Sequence, residues 1–171
     1  MIRVLICDDH LIVRQGIKQI LADADDITLV AEADSGPQAV QQVRQAAAGV
    51  GAAIDVVLMD IAMPQRDGLD VLKQLKREFP KLPVLMLSTY PDKLYAVRCL
   101  KLGAAGYLNK SADSQGMCGA IRKVAAGGLF ITASVAEQLA ASVGAGQSRA
   151  SEVPLHERLS HREYQVFRLL A

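Results

Sequence analysis

The sequence contains no tryptophan, and aromatic residues make up only 4% of its 171 positions. The core that a hydrophobic content of 51% supports is therefore aliphatic, built from Leu, Val, Ile and Ala. An excess of charge of one sign is lacking too. A formal net charge of +1 predicts neither a nucleic-acid-coating surface nor an acidic tail. No stretch approaches the length of a membrane span, and the N-terminal MIRVLICDDH is too short in apolar residues and wrongly flanked for a signal peptide. A cytosolic chain without a membrane anchor is expected. Cysteine is sparse: Cys7, Cys99 and Cys118 form an odd set without metal-ligand spacing, so reduced structural thiols are expected rather than a disulfide or a zinc site.

What is present is a regular alternation of two periodicities. Residues 2–7, IRVLIC, are β-rich and end in Asp8-Asp9, and Val13, Ile17, Ile20 and Leu21 then recur at helical spacing over about 11–22. Ile27 to Ala33 predicts a second strand, followed by a helix marked by Val40, Val43 and Ala47. Ile54 to Met59 is apolar except for Asp55 and ends in Asp60, which predicts a strand buried on both faces, stopped by Met63-Pro64 and Asp67-Gly68. Leu69, Leu72, Leu75 and Phe79 predict a third helix, Pro83 to Leu87 a fourth strand, and Leu94, Val97 and Leu100 a fourth helix. Tyr107-Leu108 begins a short fifth strand ending in Asn109-Lys110. Met117, Ile121, Val124 and Ala125 give a fifth helix ended by Gly127-Gly128.

Five successive βα units with short connections predict an α/β fold, a doubly wound five-stranded parallel sheet of flavodoxin-like order 2-1-3-4-5. Beyond residue 128 the pattern changes. Thr132 or Ser134 is placed to cap a sixth helix carrying Val135, Leu139 and Val143, and GAGQSRASEVP, residues 144–154, reads as a linker. In LSHREYQVFRLLA, Ser160 and Glu163 form a capping box and Leu159 and Tyr164 a staple for a further helix. The residues end as this second, all-α domain begins.

The sheet order has a chemical consequence. Its switch point lies between strands one and three, so Asp8, Asp9 and Asp60 should meet at one crevice. Two unit charges ~4 Å apart repel by ~4 kcal/mol at an effective dielectric near 20. Such a cluster must protonate in part or hold a cation, and an all-oxygen site suits Mg²⁺. That arrangement leaves one carboxylate free to act as a nucleophile toward phosphorus. Ser88-Thr89 at the end of the fourth strand and Lys110 at the end of the fifth face the same crevice. Taken singly, each residue has a plainer role. Asp60 could cap a turn, Asp8 and Asp9 the first helix, Ser88 could be a turn residue and Lys110 a solvated lysine. His10 reads as the first-turn residue of a helix. Their joint placement at the ends of four strands favours the chemical reading.

Asp8-Asp9, Asp60 within LMDIAMPQRDG, Ser88 after VLML, and Lys110 within GAAGYLNK resemble, in order and spacing, the receiver domain of two-component response regulators over about residues 2–126. The tail LSHREYQVFRLL resembles the opening of a LuxR-type helix-turn-helix domain, and the two together resemble the NarL/FixJ group. The resemblance implies a receiver over residues 1–127, an extra helix and interdomain linker over 128–154, and the first helix of a DNA-binding domain over 155–171. It implies a signalling switch rather than an enzyme with an outside substrate. In that reading Asp60 is the phosphoacceptor fed by a sensor histidine kinase. Asp8, Asp9 and Asp60, with the backbone carbonyl of Ala62, bind Mg²⁺. Ser88 hydrogen-bonds the phosphoryl group, Lys110 pairs with it, and Tyr107 is the aromatic switch that turns inward as Ser88 moves. Phosphorylation promotes a homodimer or releases the DNA-binding domain, whose contact with promoter DNA lies in its missing remainder, because the recognition helix is not among these residues. Many receivers follow the lysine with proline. Here Ser111 follows and is placed to cap the fifth helix, so the cis peptide of those receivers is not assumed. The alternatives are a Mg²⁺-dependent phosphohydrolase, which wants an Asp-x-Asp that CDDH lacks, a flavin-binding module, whose phosphate Asp8 and Asp9 would repel, and a receiver acting by protein contacts without phosphorylation.

Overall fold

The computed structural model describes residues 1–63, 67–89, 93–132 and 135–141. Pro64, Ser134, Val143, the linker at 144–154 and the tail at 155–171, all used in the sequence reading, lie outside these described residues. Strands β1 (Ile2–Cys7), β2 (Ile27–Ala33), β3 (Val56–Asp60), β4 (Val84–Ser88) and β5 (Gly106–Asn109) alternate with helices α1 (Leu11–Ala22), α2 (Gly36–Ala47), α3 (Gly68–Glu78), α4 (Lys93–Lys101) and α5 (Ser114–Ala125). The sheet has the order β2-β1-β3-β4-β5, and every pairing in it is parallel.

Strand alternation divides the core between the two faces of this sheet. Leu5, Cys7, Val57, Met59, Val84 and Met86 point to the side covered by α2 and α3. Val4, Ile6, Val56, Leu58, Leu85 and Leu87 point to the side covered by α1 and α5, through Ile17, Leu21, Met117, Ile121 and Val124. Strands β3 and β4 are thus wholly buried, as are the last four residues of β1, which is why they read as continuous apolar runs. The third strand begins two residues later than the run predicts and includes Asp60. Asp55 stays ahead of it, held to Arg3 by paired contacts of 2.9 and 3.0 Å, while Ile54 packs against the core from outside the ladder.

Helix ends follow local chemistry. Asp67 caps α3 by accepting from the Asp70 N–H at 2.9 Å. The fifth helix departs from expectation: its cap is Asp113, which accepts from the Gly116 N–H at 2.7 Å. Ser111 instead binds the Asn109 side chain through both its N–H and its hydroxyl. Gly127, with φ of +90°, ends α5 in the left-handed conformation open to glycine, and the Gly128 N–H returns to the Lys123 carbonyl.

After α5 the chain returns to the sheet. Phe130 bridges Gly106 at the edge of β5, its N–H donating to Ala105 and its carbonyl accepting from Tyr107. Thr132 then caps the following helical residues 135–141 through a bond from the Val135 N–H to its hydroxyl at 3.3 Å. Val135, with Ile131 and Leu139, packs on Ala96, Val97, Leu100 and Tyr107 of α4 and β5. Gly106 permits this approach, since a β-carbon there would lie 2.7 Å from the Phe130 carbonyl oxygen and 2.9 Å from Leu85. No described helix is long and apolar enough to cross a membrane.

Candidate functional site

The carboxyl ends of β1, β3 and β5 bring together the residues the sequence singled out. Cys7 pairs in register with Met59, so Asp8 and Asp60 leave adjacent strands at one level. Asp8 and Asp60 are buried to within 1% of completely. Lys110 follows β5 and reaches back across the crevice, its Nζ 2.8 Å from Asp8 Oδ2 and 3.0 Å from Asp60 Oδ1. The Ala62 N–H also donates to Asp60 Oδ1, at 3.3 Å. Ser88 closes β4 beside Asp60, is buried, and accepts the Lys110 backbone N–H at its carbonyl. Tyr107 lies half-buried on β5, against α4 and the 135–141 segment, and Tyr95 is fully buried on α4.

Asp8 and Asp9 do not cap the first helix. The N-cap is His10, whose side chain makes no capping bond. Its ring turns instead over the acids, with Nδ1 3.0 Å from Asp8 Oδ1, 3.1 Å from Asp9 Oδ1 and 4.0 Å from Asp60 Oδ2. The sequence reading, which made His10 a first-turn residue, missed this contact. It also missed Arg14, one turn further on, whose guanidinium holds the Asp8 backbone carbonyl at 2.6 Å. Adjacency to two acids was the available signal for His10; for Arg14 only its place on the same helical face as His10 pointed there.

Burial, and then the neighbouring Asp8 charge, push the Asp60 carboxyl up to about 6, while Lys110 and the Ala62 N–H pull against that rise. Burial alone would lower the Lys110 ammonium, but hydrogen bonds and charge from Asp8 and Asp60 outweigh it and hold it above its ordinary value. Burial, reinforced by Asp60 and Asp8, pushes the Cys7 thiol up to about 12, so it stays protonated at neutral pH. Cys7, Cys99 and Cys118 are all buried free thiols.

The donor set fits a divalent cation. Asp8, Asp9, His10 and Asp60 each offer a ligand atom, all within 4.8 Å of one another. Asp8 Oδ2 lies 2.8 Å from Lys110 Nζ and Asp9 Oδ1 3.1 Å from His10 Nδ1, whereas Asp60 Oδ2 is buried with no hydrogen-bond partner. Three carboxylates against one ammonium leave two negative charges for a cation to balance.

A sheet with this order, carrying acids and a lysine at its switch point, defines a flavodoxin-like α/β module, and the sequence profile of the response regulator receiver domain matches residues 4–122. The chain belongs to the two-component response regulators, of the NarL/FixJ type, which regulate transcription. It is 39% identical over 166 residues to the response regulator GacA of Pseudomonas viridiflava, a match covering 97% of this chain and 73% of that protein. It superposes with a TM-score of 0.72 and 25% identity on a LuxR-family two-component response regulator from Aurantimonas sp. SI85-9A1, covering 82% of this chain and 96% of that one. The isolated receiver domain of RcsB from Salmonella enterica serovar Typhimurium, determined in the presence of phosphomimetic BeF3⁻, gives a TM-score of 0.68 at 26% identity, covering 81% and 98%. These similarities favour the response-regulator reading over a phosphohydrolase.

Proposed function

We propose that Asp60 is the phosphoacceptor of this response regulator and that Asp8, Asp9 and Lys110 serve its phosphorylation. The observation that carries this is the Lys110 ammonium bridging Asp8 and Asp60 at 2.8 and 3.0 Å, while the second Asp60 oxygen stays buried and unpartnered. An Asp60 carboxylate oxygen forms the new O–P bond as the P–N bond of a kinase phosphohistidine breaks. The departing imidazole keeps that electron pair and takes up a proton. Lys110 transfers its contact from Asp60 to a phosphoryl oxygen, and the Ser88 hydroxyl donates to another. Asp8, Asp9 and Asp60, with the Ala62 carbonyl, would hold Mg²⁺, which would supply further neutralisation of the phosphoryl charge. The chain catalyses its own phosphorylation and slow hydrolysis and has no outside substrate to turn over.

Exposed apolar side chains beside the crevice, Leu11 and Ile12 at the start of α1, support a sensor kinase as the donor, because its surface would cover them. The RcsB receiver determined with a phosphoryl mimic supports the same chemistry by relationship. On the output side, Tyr107 on β5 packs with Ala96 and Val97 of α4 and with Ile131, Val135 and Leu139, so a change at Ser88 and Tyr107 has a packed route to the residues leading to the linker. Residues 1–127 act as the receiver, 128–154 as the extra helix and linker, and 155–171 as the start of a LuxR-type domain that reaches promoter DNA, with homodimer formation following phosphorylation. The test is labelling by a small phosphodonor with Mg²⁺, read by intact mass. Wild type gains an acid-stable, base-labile phosphoryl group and Asp60→Asn gains none. Labelling that persists in Asp60→Asn overturns the assignment.

A further inference from the structure

We propose that His10 is a nitrogen ligand of the cation site, making this site more selective for transition ions over Mg²⁺ than its carboxylates alone would be. The inference rests on the cation reading above and concerns one residue which that reading does not use. Two independent observations carry it. First, His10 occupies the N-cap of α1, where Ser, Thr, Asp or Asn would bond the helix's free N–H groups, yet its side chain makes no such bond. The ring is turned to the acids instead. Second, Asp60 Oδ2 is buried without a hydrogen-bond partner, and the His10 ring nitrogen stands 4.0 Å from it.

The spacing suits shared coordination. Octahedral ligands at about 2.0–2.1 Å from an ion stand about 2.9 Å apart on an edge and about 4.1 Å apart across the centre. His10 Nδ1 lies 3.0 Å from Asp8 Oδ1 and 3.1 Å from Asp9 Oδ1, edge lengths, and 4.0 Å from Asp60 Oδ2, a diagonal. The imidazole is 60% exposed, so it has room to adjust without moving the core. Carboxylates suit Mg²⁺ and Mn²⁺ alike, whereas an imidazole adds most for ions later in the divalent series, such as Co²⁺. Its neutral nitrogen leaves the charge balance of the three carboxylates and Lys110 unchanged.

The test uses the full chain loaded with Mn²⁺, whose pulsed electron paramagnetic resonance detects a coordinated ¹⁴N. It is paired with competition of Co²⁺ against Mg²⁺. The variant is His10→Ser, which deletes the imidazole and supplies a better N-cap, so weaker binding is not a consequence of a weakened helix. Wild type should show ¹⁴N modulation that His10→Ser loses. Co²⁺ affinity should fall by about 10-fold or more, the scale on which losing even an outer partner of a metal ligand is felt, with Mg²⁺ affinity changing much less. Bound Mn²⁺ without ¹⁴N modulation, or an equal loss for Co²⁺ and Mg²⁺, overturns the role of His10 while leaving the carboxylate site intact. Failure of wild type to bind Mn²⁺ at all overturns both.

Discussion

At the scale of single residues, the chemistry of Asp60 is set by how little water reaches it. A carboxyl pushed up to about 6 from 3.8 is a group whose ionisation the fold resists. Between those two values the folded chain holds a proton that the unfolded chain has released. Stability therefore falls as pH rises through this window, and the penalty is complete above pH 6. A shift of about two units corresponds to roughly 3 kcal/mol. With the cation chelated, Asp60→Asn should be more stable than wild type at pH 7.5 by up to that amount, and the difference should vanish near pH 3.5, where both forms are neutral. Urea denaturation at the two pH values checks this, and a pH-independent difference would contradict it. Added Mg²⁺ should narrow the gap at pH 7.5, because a bound cation favours the ionised carboxyl that burial and the Asp8 charge disfavour.

Residue identity at the strand ends carried most of this site into the sequence. Asp8, Asp60 and Lys110 were legible because each ends or directly follows a run whose apolar character marks it as buried, and the sheet order then fixes their convergence. His10 and Arg14 were not. Their roles depend on which way a ring and a guanidinium turn once β1 and α1 are joined, and periodicity contains no such information. Ser111 shows the converse. A hydroxyl in a capping position is a reasonable cap until Asn109 engages it, and Asp113, two residues on, takes the helix.

At the scale of elements, the sheet edge at β5 is the least expected feature. A single bridging residue, Phe130, leaves no alternation in sequence, so nothing there announced a return to the sheet. Gly106 makes the return sterically possible, with the Phe130 carbonyl where a side chain would begin. Gly106→Ala must push that carbonyl and Leu85 aside, at an overpacking cost of roughly 1–3 kcal/mol. Denaturant titration should show the lowered midpoint, and proteolysis should show faster cleavage after Phe130. A wild-type midpoint would mean that the edge yields without strain. Strand limits were otherwise read to within two residues, and the slip at β3 has a local cause: Asp55 is held by Arg3 before the ladder begins.

At the scale of the whole molecule, the proposed acceptor and the proposed route outward lie on one packed set of strands and helices. Asp60 and Ser88 end neighbouring strands, Tyr107 lies on the next, which Lys110 follows, and Tyr107 packs on the cluster that seats Val135 and Leu139. A charge added at Asp60 shifts the outer segment only if Tyr107 packs differently against it in the two states, and only by that difference in free energy. If this route operates, phosphorylation should change the amide exchange of residues 129–141 while leaving β1 and β3 as protected as before. Leu139→Asp puts a charge into the same cluster and should alter exchange there without phosphorylation. Asp60 should still take the phosphoryl label, because Leu139 lies outside the acidic crevice. Exchange at 129–141 that is identical with and without the phosphoryl group would sink the route through Tyr107 and leave output to another face of the receiver.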